Sequence, residues 1–346
     1  MAHPKPSIPM KTPQFVQIYR DDAQAITEEL ICGLMAPDDE GGACTSPKFL
    51  YDALGSRLFE AITALPEYYV TRTEARIFST HGAAIAALLP QRATLIDLGA
   101  GNCAKAASLF GHLTPDRYVA VDISVDFLRG ALAGLQLQYP HLDMVGLGMD
   151  FSGTLDMPLE AGALNQGPRI LFYPGSSIGN FTPQQALVFL TQARAACGTV
   201  ADSGLLIGVD LVKDTAEMEA AYDDALGVTA AFNRNLLSHI NRLVGSDLHL
   251  TDWAHRAIFN TAQSRIEMHL VARRSLTVSW PGGSRSFAQG AHIHTENSYK
   301  WTLAGFRQLL LEAGFAEPTV WTDAATPEAG RFAVMWATAQ GPHTCA

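Results

Sequence analysis

The run Thr94-Leu95-Ile96-Asp97-Leu98-Gly99-Ala100-Gly101-Asn102 is where residue types and spacing first point to chemistry. It reads as a buried strand ending in a tight turn, whose glycines let the backbone swing close to a ligand and open the next helix. Tyr118-Val119-Ala120-Val121-Asp122 repeats the pattern, an apolar strand ending in a carboxylate. A doubly wound fold uses that position to hydrogen-bond the two hydroxyls of a ribose. An adenosine-containing cofactor at the carboxyl end of a parallel sheet is therefore expected, although a bare Gly-x-Gly is also simply a tight turn. A nicotinamide site usually shows three glycines, and Ala104 at the third position is tolerated, so counting glycines decides little. Asp97 discriminates better. A carboxylate there repels a pyrophosphate but suits the cationic amino-acid half of S-adenosylmethionine. The order Asp97-x-Gly99-x-Gly101, then Asp122, favours S-adenosylmethionine over a nicotinamide-dependent oxidoreductase.

Three other groupings could carry chemistry. Tyr173-Pro174-Gly175-Ser176-Ser177-Ile178-Gly179-Asn180 follows the fourth apolar run and should face the cofactor's reactive end. Its bland reading is a strand-to-helix turn capped by Asn180 or Thr182. The loop lacks the Asn/Asp-Pro-Pro-aromatic run of enzymes that methylate base amino groups, which argues against a nucleobase substrate. Asp150-Phe151 ends the third run, where the acid could bind an adenine amino group and the ring pack on its face, or Asp150 could simply precede Ser152 as a strand-end residue. His292, His294 and Glu296, if extended, fall on one face and could form a site of two imidazoles and one carboxylate. No fourth ligand suggests itself and methyl transfer to nitrogen needs no metal, so no metal is expected. Tyr51, Tyr68, Tyr69 and Tyr222 are candidate pocket aromatics, while burial with a satisfied hydroxyl is the default for each. Met268 reads by default as core.

These residues need a frame. A chain of 346 residues suggests about two domains, and 48% apolar content suits a large core. A net charge of −10 argues against nucleic acid or an anionic membrane as partner. Cys32, Cys44, Cys103, Cys197 and Cys345 are odd in number and lack metal spacing. The polar, proline-rich start is not a signal peptide, and no apolar run reaches the length of a membrane span, so a reduced cytoplasm is the expected compartment. Residues 1 to about 20 read as an arm, and Ala23 to Ile77 as helices broken by the loop Pro37 to Pro47 and at Pro66. Thr94–Leu98, Tyr118–Asp122, Met144–Met149, Ile170–Tyr173 and Leu205–Asp210 alternate with helix-length segments, which predicts a parallel sheet covered on both faces. After Asp210 the rhythm changes. Ala216 to Val244 reads as helices, and Arg265–Leu270 as a half-buried antiparallel strand. Ser275–Trp280 reads as a second strand, followed by a turn at Pro281–Ser284. A helix from Trp301 should turn Phe306, Leu309, Leu310 and Ala313 to the core and stop at Gly314, before a last strand at Phe332–Trp336. A second domain is thus inserted late in the sheet, with the N-terminal helices packing on it.

Phe49-Leu50-Tyr51-Asp52-Ala53-Leu54-Gly55-Ser56, Leu65-Pro66-Glu67-Tyr68-Tyr69 and Thr71-Arg72-Thr73-Glu74 open a series of longer motifs. It continues through Gly175–Asn180, Asp210–Asp214, Ala221–Asp224, Phe232–Asn235, Arg265–Met268 and Glu296–Lys300. In this order, and over nearly the whole chain, the series resembles the histidine Nα-methyltransferases of ergothioneine biosynthesis. The resemblance implies an α/β fold, a doubly wound class I methyltransferase (Rossmann-like) sheet with a second, α+β substrate-binding domain. It divides the chain into residues 1–73, part of the substrate domain; 74–211, the S-adenosylmethionine domain; 212–296, the substrate-binding insertion; and 297–346, the return. It implies conversion of L-histidine through mono- and dimethylhistidine to hercynine, with three molecules of S-adenosylmethionine. By position, Asn180 and Tyr222 hold the substrate carboxylate, Tyr68, Glu296 and Ser298 surround the imidazole, and Met268 lies beside it. Tyr51 lies near the amine and Gly175 near the transferred methyl. Asp97, from its spacing, joins Gly99, Gly101, Lys105, Asp122, Asp150 and Phe151 at the cofactor. The turn departs from relatives in reading Gly-Ala-Gly-Asn-Cys, which leaves contacts from Asn102 open. Related enzymes methylate tryptophan-derived amines, but indole has no use for a carboxylate beside a hydroxyl. The expected partner is free L-histidine, bound by a monomer.

Overall fold

Apolar runs with no polar face can only sit inside a sheet covered on both sides, and the five runs between Thr94 and Asp210 do so. The computed structural model describes residues 10–18, 23–38, 41–151, 153–155 and 167–339. The first half carries β1 (Gln14–Gln17), α1 (Ala23–Met35), α2 (Ala53–Thr63), α3 (Tyr69–Leu88), β2 (Thr94–Leu98), α4 (Ala104–Ala107), α5 (Phe110–Leu113), β3 (Arg117–Asp122), α6 (Val125–Gln138) and β4 (Asp143–Gly148). Next come β5 (Arg169–Tyr173), α7 (Pro183–Ala196), β6 (Gly204–Asp210), α8 (Thr215–Ala220) and α9 (Val228–Val244). The last third carries β7 (Trp253–Asn260), β8 (Arg265–Ala272), β9 (Leu276–Trp280), β10 (Gly283–Phe287), β11 (His292–Tyr299), α10 (Leu303–Glu312), β12 (Thr319–Thr322) and β13 (Phe332–Thr338).

The main sheet has the order β1-β4-β3-β2-β5-β6-β13-β12. Every pairing from β1 to β6 is parallel, and β13 and β12 close the edge antiparallel. The order reverses between β2 and β5, so the crevice beyond their carboxyl ends is the natural ligand site. Local signals support the elements. Thr182 and Gln185 form a capping box ahead of α7 with Pro183 in its first turn. Thr302 caps α10, and Gly314, at φ +87°, ends its turn. Phe306, Leu310 and Ala313 are buried as expected, whereas Leu309 is only partly so.

Two smaller sheets follow, β11-β8-β7 and β10-β9. Helix α9 packs against β7 and against α1 and α2 from the N-terminal segment. The arm expected over residues 1 to about 20 needs correction: Gln14–Gln17 pairs in parallel with Gln14 opposite Val145, as an edge strand. Residues 1–9, 19–22 and Cys345 lie outside the described residues. Strand β8 is not half-buried. As the centre of its sheet it is covered on both faces, and Glu267 and His269 are buried with it. The expected boundaries at 73/74 and 296/297 fall inside α3 and β11, because the hydrogen-bonded element continues through each. Among the described residues no helix is long and apolar enough to cross a membrane.

Candidate active site

The turn after β2 has Gly99 at φ +72° and Gly101 at φ +51°, conformations that glycine reaches without strain. A Cβ on Gly101 would meet nothing within 4 Å, so the turn has an open mouth. Asp122, at the end of β3, accepts from the backbone N–H of Gly101 and of Ser124, both at 2.8 Å. Burial raises its carboxyl above the ordinary range, and these two N–H groups pull it back. Asp97 is buried, and its Oδ2 accepts from the Tyr118 hydroxyl at 2.7 Å. Its Oδ1 finds no partner among the described residues, and burial pushes the carboxyl up to about 7. An unsatisfied buried acceptor behind an open turn suits the cationic group expected there. Asp150 is held by Lys48 at 3.1 Å. Phe151 packs edge-on to Tyr173, 5.9 Å between ring centres, and lies against Gly99. Asn102 turns instead toward Glu60, at 3.0 Å.

Lys105 joins this turn to the loop after β5. Its ammonium pairs with the buried Glu74 at 2.6 Å, while the other oxygen of Glu74 accepts from Gly175 N–H at 2.7 Å. Gly175 has φ +77° and Ser176 φ +59°, two successive left-handed residues. The second is strained, and the hydrogen bond from Asp210 N–H to Ser176 Oγ, 2.9 Å, holds it there. A Cβ on Gly175 would stand 2.8 Å from the Lys105 ammonium.

Beyond this loop lies one cavity, and Tyr51, Tyr68, Gly175, Asn180, Tyr222, Met268, Glu296 and Ser298 all line it. Tyr51 and Tyr68 come from the N-terminal segment, Asn180 from the turn after β5, and Tyr222 from the residues after α8. Tyr51 meets Phe232 edge-on at 5.5 Å, and Tyr68 meets Tyr222 at 6.1 Å. Burial pushes the Glu296 carboxyl up to about 7, against the pull of Lys300 and of Asn180 Nδ2 at 3.4 Å.

A single extra residue places Glu296. His294 stands opposite His269, but Glu296 stands opposite Met268, so Thr295 is a β-bulge whose hydroxyl donates to Met268 O at 3.0 Å. The bulge reverses the alternation, and the face expected to hold His292, His294 and Glu296 together does not form. His292 and His294 gather around His269 on one side, with ring centres 4.7 and 4.9 Å from it. Glu296 and Ser298 turn with Met268 to the cavity. Among the described residues no three His, Cys, Asp or Glu side chains converge to hold a metal ion.

Tyr69 is not a cavity residue, since its hydroxyl donates to Asp210 at 2.7 Å. Sequence reasoning missed Phe59, Phe232 and Thr229 on the cavity wall and the buried charges Glu74 and Lys300. Glu74 left a trace: an acid within the buried stripe Tyr69, Val70, Thr73, Ile77 of α3 must have a partner.

Residues 26–339 match the family described as "Histidine-specific methyltransferase, SAM-dependent". The chain is 38% identical over 315 residues to a histidine N-alpha-methyltransferase of Mycolicibacterium smegmatis, covering 88% of this chain and 92% of that one. A histidine N-alpha-methyltransferase of Mycobacterium tuberculosis is 37% identical over 298 residues, 84% of this chain and 89% of that one. Ergothioneine biosynthesis protein 1 of Neurospora crassa is 30% identical over 280 residues, 79% of this chain and 31% of that protein.

Proposed function

The chain belongs to the histidine-specific, S-adenosylmethionine-dependent methyltransferases, and on that premise we propose that it methylates the α-amino group of L-histidine three times, through the mono- and dimethyl amines to hercynine, the first step of ergothioneine biosynthesis. The observation that carries this reading is the face on which β8 and β11 present Met268, Glu296 and Ser298 to a cavity also lined by Asn180 and Tyr222. A carboxylate and a hydroxyl side by side suit the two ring nitrogens of imidazole, one N–H donor and one acceptor.

In this reading Asp122 holds the ribose hydroxyls, Asp97 the amino-acid cation, Asp150 and Phe151 the adenine, and Gly99, Gly101 and Lys105 the rest of the cofactor. S-adenosylmethionine, when bound, supplies a methyl group activated by its sulfonium. The protein's task is then alignment of the amine with that methyl within near-attack distance. Asn180 and Tyr222 fix the substrate carboxylate, Glu296 and Ser298 fix the ring, and Tyr51 stands at the amine, with Gly175 giving the closest backbone approach. An α-amino group titrates near 8, so a modest local push leaves it neutral and no strong base is required. The aromatic walls Tyr51, Tyr68 and Phe232 suit the growing cationic product.

We assign substrate recognition to the N-terminal segment with residues 212–300, and cofactor binding to the rest. We propose that it acts as a monomer, since residues of a single chain supply every role assigned above. Free thiols at Cys32, Cys44, Cys103 and Cys197 suit the cytoplasm. Incubation with S-adenosylmethionine and each of the twenty amino acids, read by mass, tests the reading. Histidine gaining up to three methyl groups is the expected product; methylation of tryptophan alone, or of nothing, overturns it.

A further inference from the structure

Lys300 is a lysine with no access to solvent, and all three of its ammonium hydrogens are committed. They reach Asp210 Oδ2 at 2.8 Å, Ser298 Oγ at 2.8 Å and the Tyr222 hydroxyl at 3.1 Å. An ammonium only donates, so both hydroxyl oxygens must accept from it. Those hydroxyls touch each other at 2.7 Å, one donating to the other. Together they own two hydrogens and four lone pairs. Lys300 takes two lone pairs from the side away from the cavity, and the mutual bond takes one more with one hydrogen. What remains for a ligand is a hydrogen and a single lone pair. If a ligand draws off both hydrogens, Lys300 still satisfies both oxygens from behind.

We propose that Lys300 is a positioning residue for substrate recognition, a buried cation that turns Tyr222 and Ser298 into hydrogen-bond donors toward the cavity. This rests on the reading of histidine as substrate. Its carboxylate and its unprotonated ring nitrogen both need donors, and Tyr222 and Ser298 supply one each. A charge behind a hydroxyl also strengthens it as a donor. Asp210 cannot cancel that charge, because it is shared: its Oδ1 also holds Lys213 at 2.6 Å, and Tyr69 donates to its Oδ2. Two ammonium groups on one carboxylate leave a net positive charge beside the place where the substrate carboxylate binds. The same cation favours the ionised form of Glu296, which among the described residues otherwise faces Asn180 and the uncharged rings of Tyr51, Tyr68 and Tyr222.

The test is Lys300→Met, with histidine and S-adenosylmethionine binding measured by calorimetry and turnover measured against pH. The KM for histidine is expected to rise roughly ten- to hundredfold, the loss of a charged hydrogen-bond donor, while kcat and cofactor affinity change less than about threefold. The acidic limb of kcat/KM should move to higher pH, because Glu296 loses the cation that favours its anion. A lysine that merely fills space would not move that limb. In a Tyr222→Phe, Ser298→Ala background the same substitution should cost histidine less than it does in the wild type, since its hydroxyl targets are gone and only the effect of the charge remains. A folded Lys300→Met with unchanged KM and pH profile overturns the proposal, and so does an equal loss in the double-variant background. Should Lys300→Met fail to fold, Lys300→Gln, one bond shorter, keeps two hydrogens without the charge; an unmoved acidic limb in it is equally fatal. Wild-type protein that binds no histidine overturns the functional reading itself, before any variant is made.

Discussion

A carboxyl group walled in by tyrosines resists ionisation, and in the ring-binding role proposed for Glu296 that resistance becomes selectivity. Its carboxyl sits at about 7 in the fold against an ordinary 4.5. Below that range it carries a proton and stops accepting the imidazole N–H as a charge. We therefore expect KM for histidine to rise as pH falls below about 7. Histidine's own ring titrates near 6.5, so the limb is assigned by Glu296→Gln, which should raise KM at pH 8 and retain only the substrate's titration. If Glu296→Gln leaves the limb in place, Glu296 is not its source. The sign for stability is the opposite. A carboxyl raised in the folded state contributes stability in full below about 4.5, and loses it as pH rises through about 7. Relative to wild type, Glu296→Gln should thus melt higher at pH 8 than at pH 5, which thermal unfolding at the two pH values checks.

Thr295 works at the scale of the strand. Because side chains alternate with period two, deleting it would make His294 and Glu296 consecutive and leave Glu296 opposite Met268, on the cavity face, in a regular ladder. We expect the deletion variant to bind both S-adenosylmethionine and histidine; loss of histidine binding alone, measured by calorimetry, would show that the bulge shapes the pocket beyond setting the face of Glu296. The bulge also marks where sequence reading stopped. The main sheet was legible because buried parallel strands are continuous apolar runs, and β2 and β3 run visibly into the Gly99 turn and Asp122. The histidine pair and Glu296 were misplaced because a period-two reading cannot carry one unannounced residue. Strand β1 is four residues long, too short to show a period, and β7, with His255 and Arg256 among its apolar residues, does not alternate cleanly. Glu74 and Lys300 were present in the matched motifs, but their roles depend on partners 101 and 90 positions away, Gly175 and Asp210, which only the fold brings together.

At the scale of the molecule, the turn proposed to hold the cofactor and the cavity proposed to hold the substrate are built largely by different elements, so the two should be separable in experiment. Exhaustive chelation is expected to leave turnover unchanged, because Thr295 parts Glu296 from the histidines; loss restored by zinc or another divalent ion would contradict this. The excursion that begins after β6 comes back to the point it left: Trp301 N–H donates to Asp210 O, and Val212 N–H donates to Trp301 O. Lys300 and Asp210 clasp the two sides of that seam. Some ninety residues are therefore carried on the sheet like a cassette with adjacent splice points. A segment joined at adjacent points can be exchanged together with the N-terminal helices that pack on it, bringing a new amine substrate to an unaltered methyl-donor sheet, provided the incoming piece keeps a lysine to meet Asp210.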